Sequence, residues 1–181
     1  DRFYRRLHEA IAAATNRIAI NVYIFDRDDV ATAIADELKR RSSEIRVRVL
    51  LDRMASVSAW LTPPTSPLPE DFDPPSSMLR YLRQDSRVQV RSFLNPWFSV
   101  NHNKLYIVDG ARAWIGGMNL AREYRYDWHD LMFEVRGPIV ASFEREFERA
   151  WAHAGPLGDL AYLAAALPRT GPPHTNAPPD A

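Results

Sequence analysis

The chain has 181 residues, of which 46% are hydrophobic and 25% charged, with 23 Lys+Arg against 23 Asp+Glu and no cysteine. That length holds one domain with a sizeable core and hardly two. Charge balance removes the global basic field that would draw nucleic acid, and the lack of cysteine excludes disulfides and thiolate metal sites. No apolar run approaches the roughly 18–20 residues of a bilayer span.

Phe3, Leu7, Ala10, Ile11 and Ala14 fall on one helical face, so the spacing predicts a first helix. Arg17 to Phe25, "RIAINVYIF", is β-branched and aromatic and reads as a strand. A helix follows over Val30 to Arg41, with Ile34 and Leu38 facing inward, then a second strand over Ile45 to Leu51 that closes on Asp52. The alternating arginines of that strand read as the polar side of a half-buried strand, not as a nucleic-acid stripe. Between Ser56 and Ser77, six prolines exclude regular structure, and a loop this long suits a lid over 61–77, a binding loop or a disordered segment.

A short helix over Met78 to Gln84 leads to a strand over Val88 to Phe93. Asn95-Pro96-Trp97-Phe98 offers an aromatic rim for lipid headgroups or for packing under the loop. "HNKLYIVD" forms the next strand, Asp109-Gly110 turns it into "ARAWIGG", a further strand spans His129 to Val135, and a long helix runs from Pro138 to about His153. Alternating strands and helices with later hairpins predict an α/β sandwich around a mixed sheet. Residues 1–160 form the expected domain, and 161–181 read as a Pro-rich linker or tail. The start at Asp1 without methionine, together with that tail, suggests a piece of a longer polypeptide.

The chemistry concentrates at one strand mouth. His102 and Lys104 are two apart, so they share a strand face at roughly 7 Å between Cα atoms. Asp109 has the opposite parity and lies about 23 Å further along, which assigns it to the turn. Gly116 and Gly117 would let a ligand approach backbone N–H groups, and Asn119 supplies an amide. Imidazole, ammonium, carboxamide and bare N–H groups make an anion site suited to phosphate. Asp109, His102 and His129 are scattered by parity and distance, so no metal site is expected.

His-x-Lys, four residues, Asp, six residues and Gly-Gly-x-Asn, carried here by His102, Lys104, Asp109, Gly116, Gly117 and Asn119, resemble the His-Lys-Asp signature of the phospholipase D superfamily. "YIFDRDD", "VRVLLD", "GGMNLAREY" and "WHDLMFEVRGP" look like the first half of bacterial cardiolipin synthases, over roughly Asp1 to Gly155. The resemblance implies a phospholipase D-like α-β-α sandwich and a phosphodiester exchange without metal or other cofactor. In that chemistry a histidine attacks phosphorus, a phosphohistidine forms, and an alcohol or water removes the group. A histidine from a second motif protonates the leaving oxygen.

On this chain the resemblance makes His102 nucleophile or general acid, Lys104 and Asn119 phosphate clamps, and Gly117 a phosphate-side backbone. Asp109 and Gly116 become structural members of the motif. Asp130, eleven positions beyond Asn119, becomes the carboxylate that hydrogen-bonds a catalytic imidazole. Gly117 stands where many members carry serine, a variation that looks like first-half motifs. His8, His129, His153 and His174 are not followed by the required lysine, so a second motif must come from the same parent chain or from a homodimer partner. The expected substrate is an anionic phospholipid at a bacterial membrane surface, with no nucleic-acid partner. The leading activity is cardiolipin synthase-type phosphatidyl transfer, beside lipid hydrolysis, a superfamily nuclease, or a non-catalytic lipid-binding half.

Overall fold

The computed structural model describes residues 2–52, 55, 67–93 and 101–155. Six strands form one sheet: β1 (Arg17–Val22), β2 (Arg46–Asp52), β3 (Gln89–Phe93), β4 (Lys104–Val108), β5 (Arg112–Gly116) and β6 (Met132–Arg136). Their order is β3-β2-β1-β4-β5-β6. β1, β2 and β3 run parallel, and β4, β5 and β6 continue antiparallel from β1. Helices cover both faces, so the expected α/β sandwich with a mixed sheet is the fold observed.

One face is covered by α1 (Arg2–Ala12), α2 (Asp29–Arg41), α3 (Met78–Arg83) and the short α4 (Arg122–Tyr126). α1 buries Phe3, Tyr4, Leu7, Ala10 and Ile11, a stripe at helical spacing. α2 begins where the Asp28 carboxylate accepts from Ala31 N–H at 2.7 Å, and ends with Lys39, Arg40 and Arg41 against the negative end of its dipole. These helices meet Ile18, Ile20, Val22, Val47, Val49, Tyr106 and Trp114 in the larger core.

The other face is covered by α5 (Val140–His153), whose Val140, Phe147 and Trp151 pack on Ala19, Leu50, Leu105, Ile107 and Ala113. Arg48 breaks the apolar run of β2 here, and it is buried where the alternation suggested a polar strand face. Its guanidinium lies 5.0 Å over the Phe147 ring and 5.3 Å over Trp151 while donating to Glu148 of α5. Stacking and a paired carboxylate offset its desolvation.

Two boundaries differ from the sequence reading. β6 begins at Met132, so His129 and Asp130 precede the strand and strand parity does not apply to them. α4 was not anticipated, because five residues with no side-chain cap leave almost no periodic signal. Residues 56–66 of the Pro-rich loop, the aromatic rim Asn95–Phe98 and the tail 161–181 lie outside the described residues. Among the described residues no helix is long and apolar enough to cross a membrane.

Candidate active site

The carboxyl ends of β1, β2 and β3 and of β5 open at the same end of the sheet as the starts of β4 and β6, because β4 and β6 run opposite to their neighbours. Parallel strands present ligand crevices at that end. Lys104 is the first residue of β4 and pairs with Val22, the last of β1. This register sends its side chain to the α1–α2 face, as it does Tyr106 two residues on. His102, two residues before, turns its ring to meet it. Lys104 Nζ lies 2.9 Å from His102 Nε2 and 3.2 Å from the His102 carbonyl.

The ammonium carries only donors, so Nε2 accepts and the ring proton sits on Nδ1. Lys104 is 6% exposed, whereas His102 stands in solvent. Burial, then the charge of Lys104, push the imidazole below its ordinary value. Burial also lowers the lysine, an effect that the nearby Asp130 carboxylate opposes. The result is a neutral imidazole held against a hydrogen-bonding cation at an open mouth.

Two residues that shape this pair carried no sequence assignment. The Tyr23 ring lies 4.6 Å from the His102 ring, and Lys104 Nζ sits 5.0 Å from the Tyr23 centroid, within cation–π reach. Tyr23 N–H donates to the Asn103 carbonyl at 2.9 Å, extending the β1–β4 pairing to the histidine turn. Asp52, buried at the end of β2, accepts from Asn101 N–H at 2.9 Å and from Ala55 N–H at 3.0 Å. It anchors the chain one residue before His102. The only sequence signals were an aromatic and a carboxylate at strand ends.

The remaining motif residues take different places. Asp109 accepts from Thr15, Asn16 and Arg17 N–H groups at 2.9, 2.8 and 3.0 Å, tying the β4–β5 turn to the α1–β1 turn. Partial burial raises its carboxyl, but those donors outweigh it and hold it below the usual range. Gly116 is bare because a Cβ would stand 2.1 Å from the Leu131 carbonyl of the chain entering β6.

The reading of Gly117 as open space for a ligand is corrected. Its N–H donates to Leu131 O at 2.9 Å, and the place of its missing Cβ is filled by the Asp130 carboxylate, 2.1 Å from where a Cβ would stand. Asp130 thus lies over Gly117, within electrostatic reach of Lys104, and accepts from Leu131 N–H at 2.7 Å. No described hydrogen bond joins Asp130 to His102.

Asn119 is fully buried. Its Oδ1 accepts from Ile24 N–H at 3.0 Å, and its Nδ2 is buried against the Tyr124 side chain. The amide therefore braces the end of β1 and does not open on the mouth. Imidazole and ammonium converge at the mouth, while the amide is buried at the end of β1.

Comparison with known proteins places the chain in a family. Residues 7–151 match the family model described as "Cardiolipin synthase, PLD-like domain". Cardiolipin synthase A of Pseudomonas entomophila is 28% identical across 82% of this chain and 31% of that protein, and the Pseudomonas putida enzyme is 29% identical across 78% and 29%. The chain thus spans about a third of the length of these curated relatives. The phospholipase D family member Nuc of Salmonella typhimurium superimposes with a TM-score of 0.62 at 17% identity, covering 83% of this chain and 88% of that one. Phosphatidylserine synthase of Haemophilus influenzae gives 0.60 at 15% identity, over 80% and 34%. With its fold, its His102–Lys104 mouth and a family match across most of its length, the chain belongs to the phospholipase D-like domain family of cardiolipin synthase.

Proposed function

We propose that this domain supplies one half of a phosphodiester-exchange site and transfers a phosphatidyl group from an anionic phospholipid to the glycerol hydroxyl of a second lipid. The observation that carries the proposal is the 2.9 Å contact between His102 Nε2 and Lys104 Nζ at an exposed strand mouth. A phosphate entering there offers the ammonium a better acceptor than a neutral ring nitrogen. Lys104 turns to a non-bridging oxygen, and the freed Nε2 lone pair faces phosphorus.

In the nucleophile's role, His102 forms the N–P bond as the P–O bond to the leaving alcohol breaks, and that alkoxide takes a proton from a second histidine. The incoming alcohol then returns its proton to that histidine, attacks phosphorus and releases His102. With the roles exchanged, His102 is the proton carrier. Asp130 supports the charge of Lys104 throughout. The counterpart histidine belongs to a second motif, for which relatives of about three times this length leave room in the same chain. The membrane is the expected setting, since donor and acceptor are lipids.

The test is His102→Ala in the full-length protein carrying this domain, assayed with labelled anionic phospholipid. Loss of both lipid–lipid transfer and headgroup release is expected. An unchanged rate refutes the catalytic reading and leaves a lipid-binding half, and release of headgroup to water without transfer by the parent protein favours hydrolysis.

A further inference from the structure

The sheet holds Lys104 but not His102. β4 begins only at Lys104, and the chain from Asn101 to Asn103 has no regular structure. An exposed side chain on such a segment changes rotamer freely unless its neighbours fix it. Among the described residues the imidazole has one hydrogen-bond partner, Lys104 Nζ at 2.9 Å, and one aromatic partner, the Tyr23 ring at 4.6 Å and a tilt of 59°.

These two contacts answer differently to a phosphate. Nε2 has a single lone pair, so it cannot accept from the ammonium and attack phosphorus together. The Lys104 contact is therefore the one that breaks when the lysine turns to a phosphate oxygen. A tilted ring contact needs no lone pair and survives the exchange. Lys104 Nζ also lies 5.0 Å from the Tyr23 centroid, so one ring touches both members of the pair.

Tyr23 is itself pinned on both sides. Its N–H donates to the Asn103 carbonyl at 2.9 Å, beside the histidine. The next residue, Ile24, donates its N–H to Asn119 Oδ1 at 3.0 Å, and its carbonyl accepts from Leu120 N–H at 3.1 Å. Phe25 is then buried and bridged to Leu120. The backbone that carries the phenol ring is thus tied to the histidine turn and to the segment after β5, a firm mount beside a mobile imidazole.

We propose that Tyr23 is a positioning residue for the phosphodiester exchange: its ring keeps the His102 imidazole aimed at phosphorus while Lys104 is engaged with a phosphate oxygen. The role rests on the reading of His102 and Lys104 as the phosphate-reacting pair.

The order of the His102 ring tests it, read by carbon relaxation at Cε1 in the isotope-labelled 181-residue chain with and without inorganic phosphate. The parent ring should stay ordered in both states. In Tyr23→Leu, which keeps apolar bulk without an aromatic ring, it should be ordered alone, held by Lys104, and should loosen once phosphate saturates the site. Tyr23→Phe should restore the parent behaviour. In the full-length protein carrying this domain, Tyr23→Leu should lose at least about tenfold in kcat with KM little changed, and Tyr23→Phe should recover most of that loss. A merely structural role would lower the urea stability and leave ring order indifferent to phosphate.

The role is overturned by a parent ring that loosens with phosphate, which needs no variant to observe. It is overturned as well by a Tyr23→Leu ring that stays ordered with phosphate bound, by an unchanged kcat in that variant, or by Tyr23→Phe behaving as Tyr23→Leu does. Saturable phosphate shifts at Lys104 alongside any of these results leave the reactive pair standing. Absence of a phosphate shift at both His102 and Lys104 removes the reading of the pair, and the role of Tyr23 with it.

Discussion

Replacing Gly117 by alanine is the sharpest perturbation of the site short of removing a reactive group. The new Cβ would lie 2.1 Å from Asp130 Oδ1, 2.2 Å from Oδ2 and 2.3 Å from Cγ, against the roughly 3.5–4.0 Å of a comfortable contact. The backbone of Gly117 does not take a positive φ, so alanine adds no torsional strain. Asp130 is exposed and short, so the carboxylate swings aside rather than the sheet deforming. Swinging breaks its 2.7 Å hydrogen bond to Leu131 N–H, a loss of about 1 kcal/mol. It also withdraws the negative charge that opposes the lowering of Lys104 by burial, so the Lys104 pKa falls further.

The assay is a double-mutant cycle with Asp130→Ala, followed by urea unfolding and by NMR titration of lysine Nζ. The chain has only two lysines, Lys39 and Lys104, so Lys39 on α2 serves as an internal control. Gly117→Ala should cost about 1 kcal/mol alone and almost nothing once Asp130 is alanine. In both single variants Lys104 should titrate lower than in the parent, with Lys39 unmoved. A wild-type Lys104 titration in Gly117→Ala, or an equal stability loss with and without Asp130, would refute the placement of that carboxylate.

The pH behaviour of His102 follows from the same contacts. Burial and then Lys104 depress its pKa, so the neutral ring persists to a lower pH than for an ordinary histidine. An imidazole titration by NMR should show this, and Lys104→Met should move the midpoint upward; an unmoved midpoint would contradict the coupling. Asp28 carries the opposite sign. Burial outweighs the N–H donors of Ala31 and Arg122 and raises its carboxyl to about 6. A raised folded-state value means that Asp28 favours the fold most below the unfolded carboxyl range. That contribution fades as pH climbs to about 6 and is constant above it, an amplitude of roughly 3 kcal/mol. Urea unfolding at several pH values should show a shallower slope in this window for Asp28→Asn, and an unchanged slope would exclude the assignment.

Much of the scaffold was legible because the pattern is local. The β-branched runs of β1 and β2, the apolar stripe of α1 and the Asp109-Gly110 turn each declare themselves within about ten residues. The His102–Lys104 pair was legible too, since Lys104 opens β4 and His102 lies only two residues before it. What escaped depends on register and on distant chain. Tyr23 and Asp52 reach the histidine turn only because β2, β1 and β4 are neighbours in that order.

Spacing shows that Gly116 and Gly117 lack side chains; it does not show that Leu131 and Asp130 occupy the room. The strand read from His129 starts only at Met132, so strand alternation does not place His129 or Asp130. Asn119 looked like a ligand amide from its position in the motif, yet its oxygen is held by Ile24 and its nitrogen is enclosed.

Inorganic phosphate tests most directly whether the Lys104–His102 contact is a phosphate site at rest. Titrating inorganic phosphate while following the His102 ring and Lys104 Nζ together should give shifts at both groups that saturate at one common affinity. That affinity should weaken at least about tenfold in Lys104→Met, which removes a charge-assisted hydrogen bond. Resonances of both groups that stay in place up to high phosphate, or a Lys104→Met variant that binds as the parent does, would contradict it.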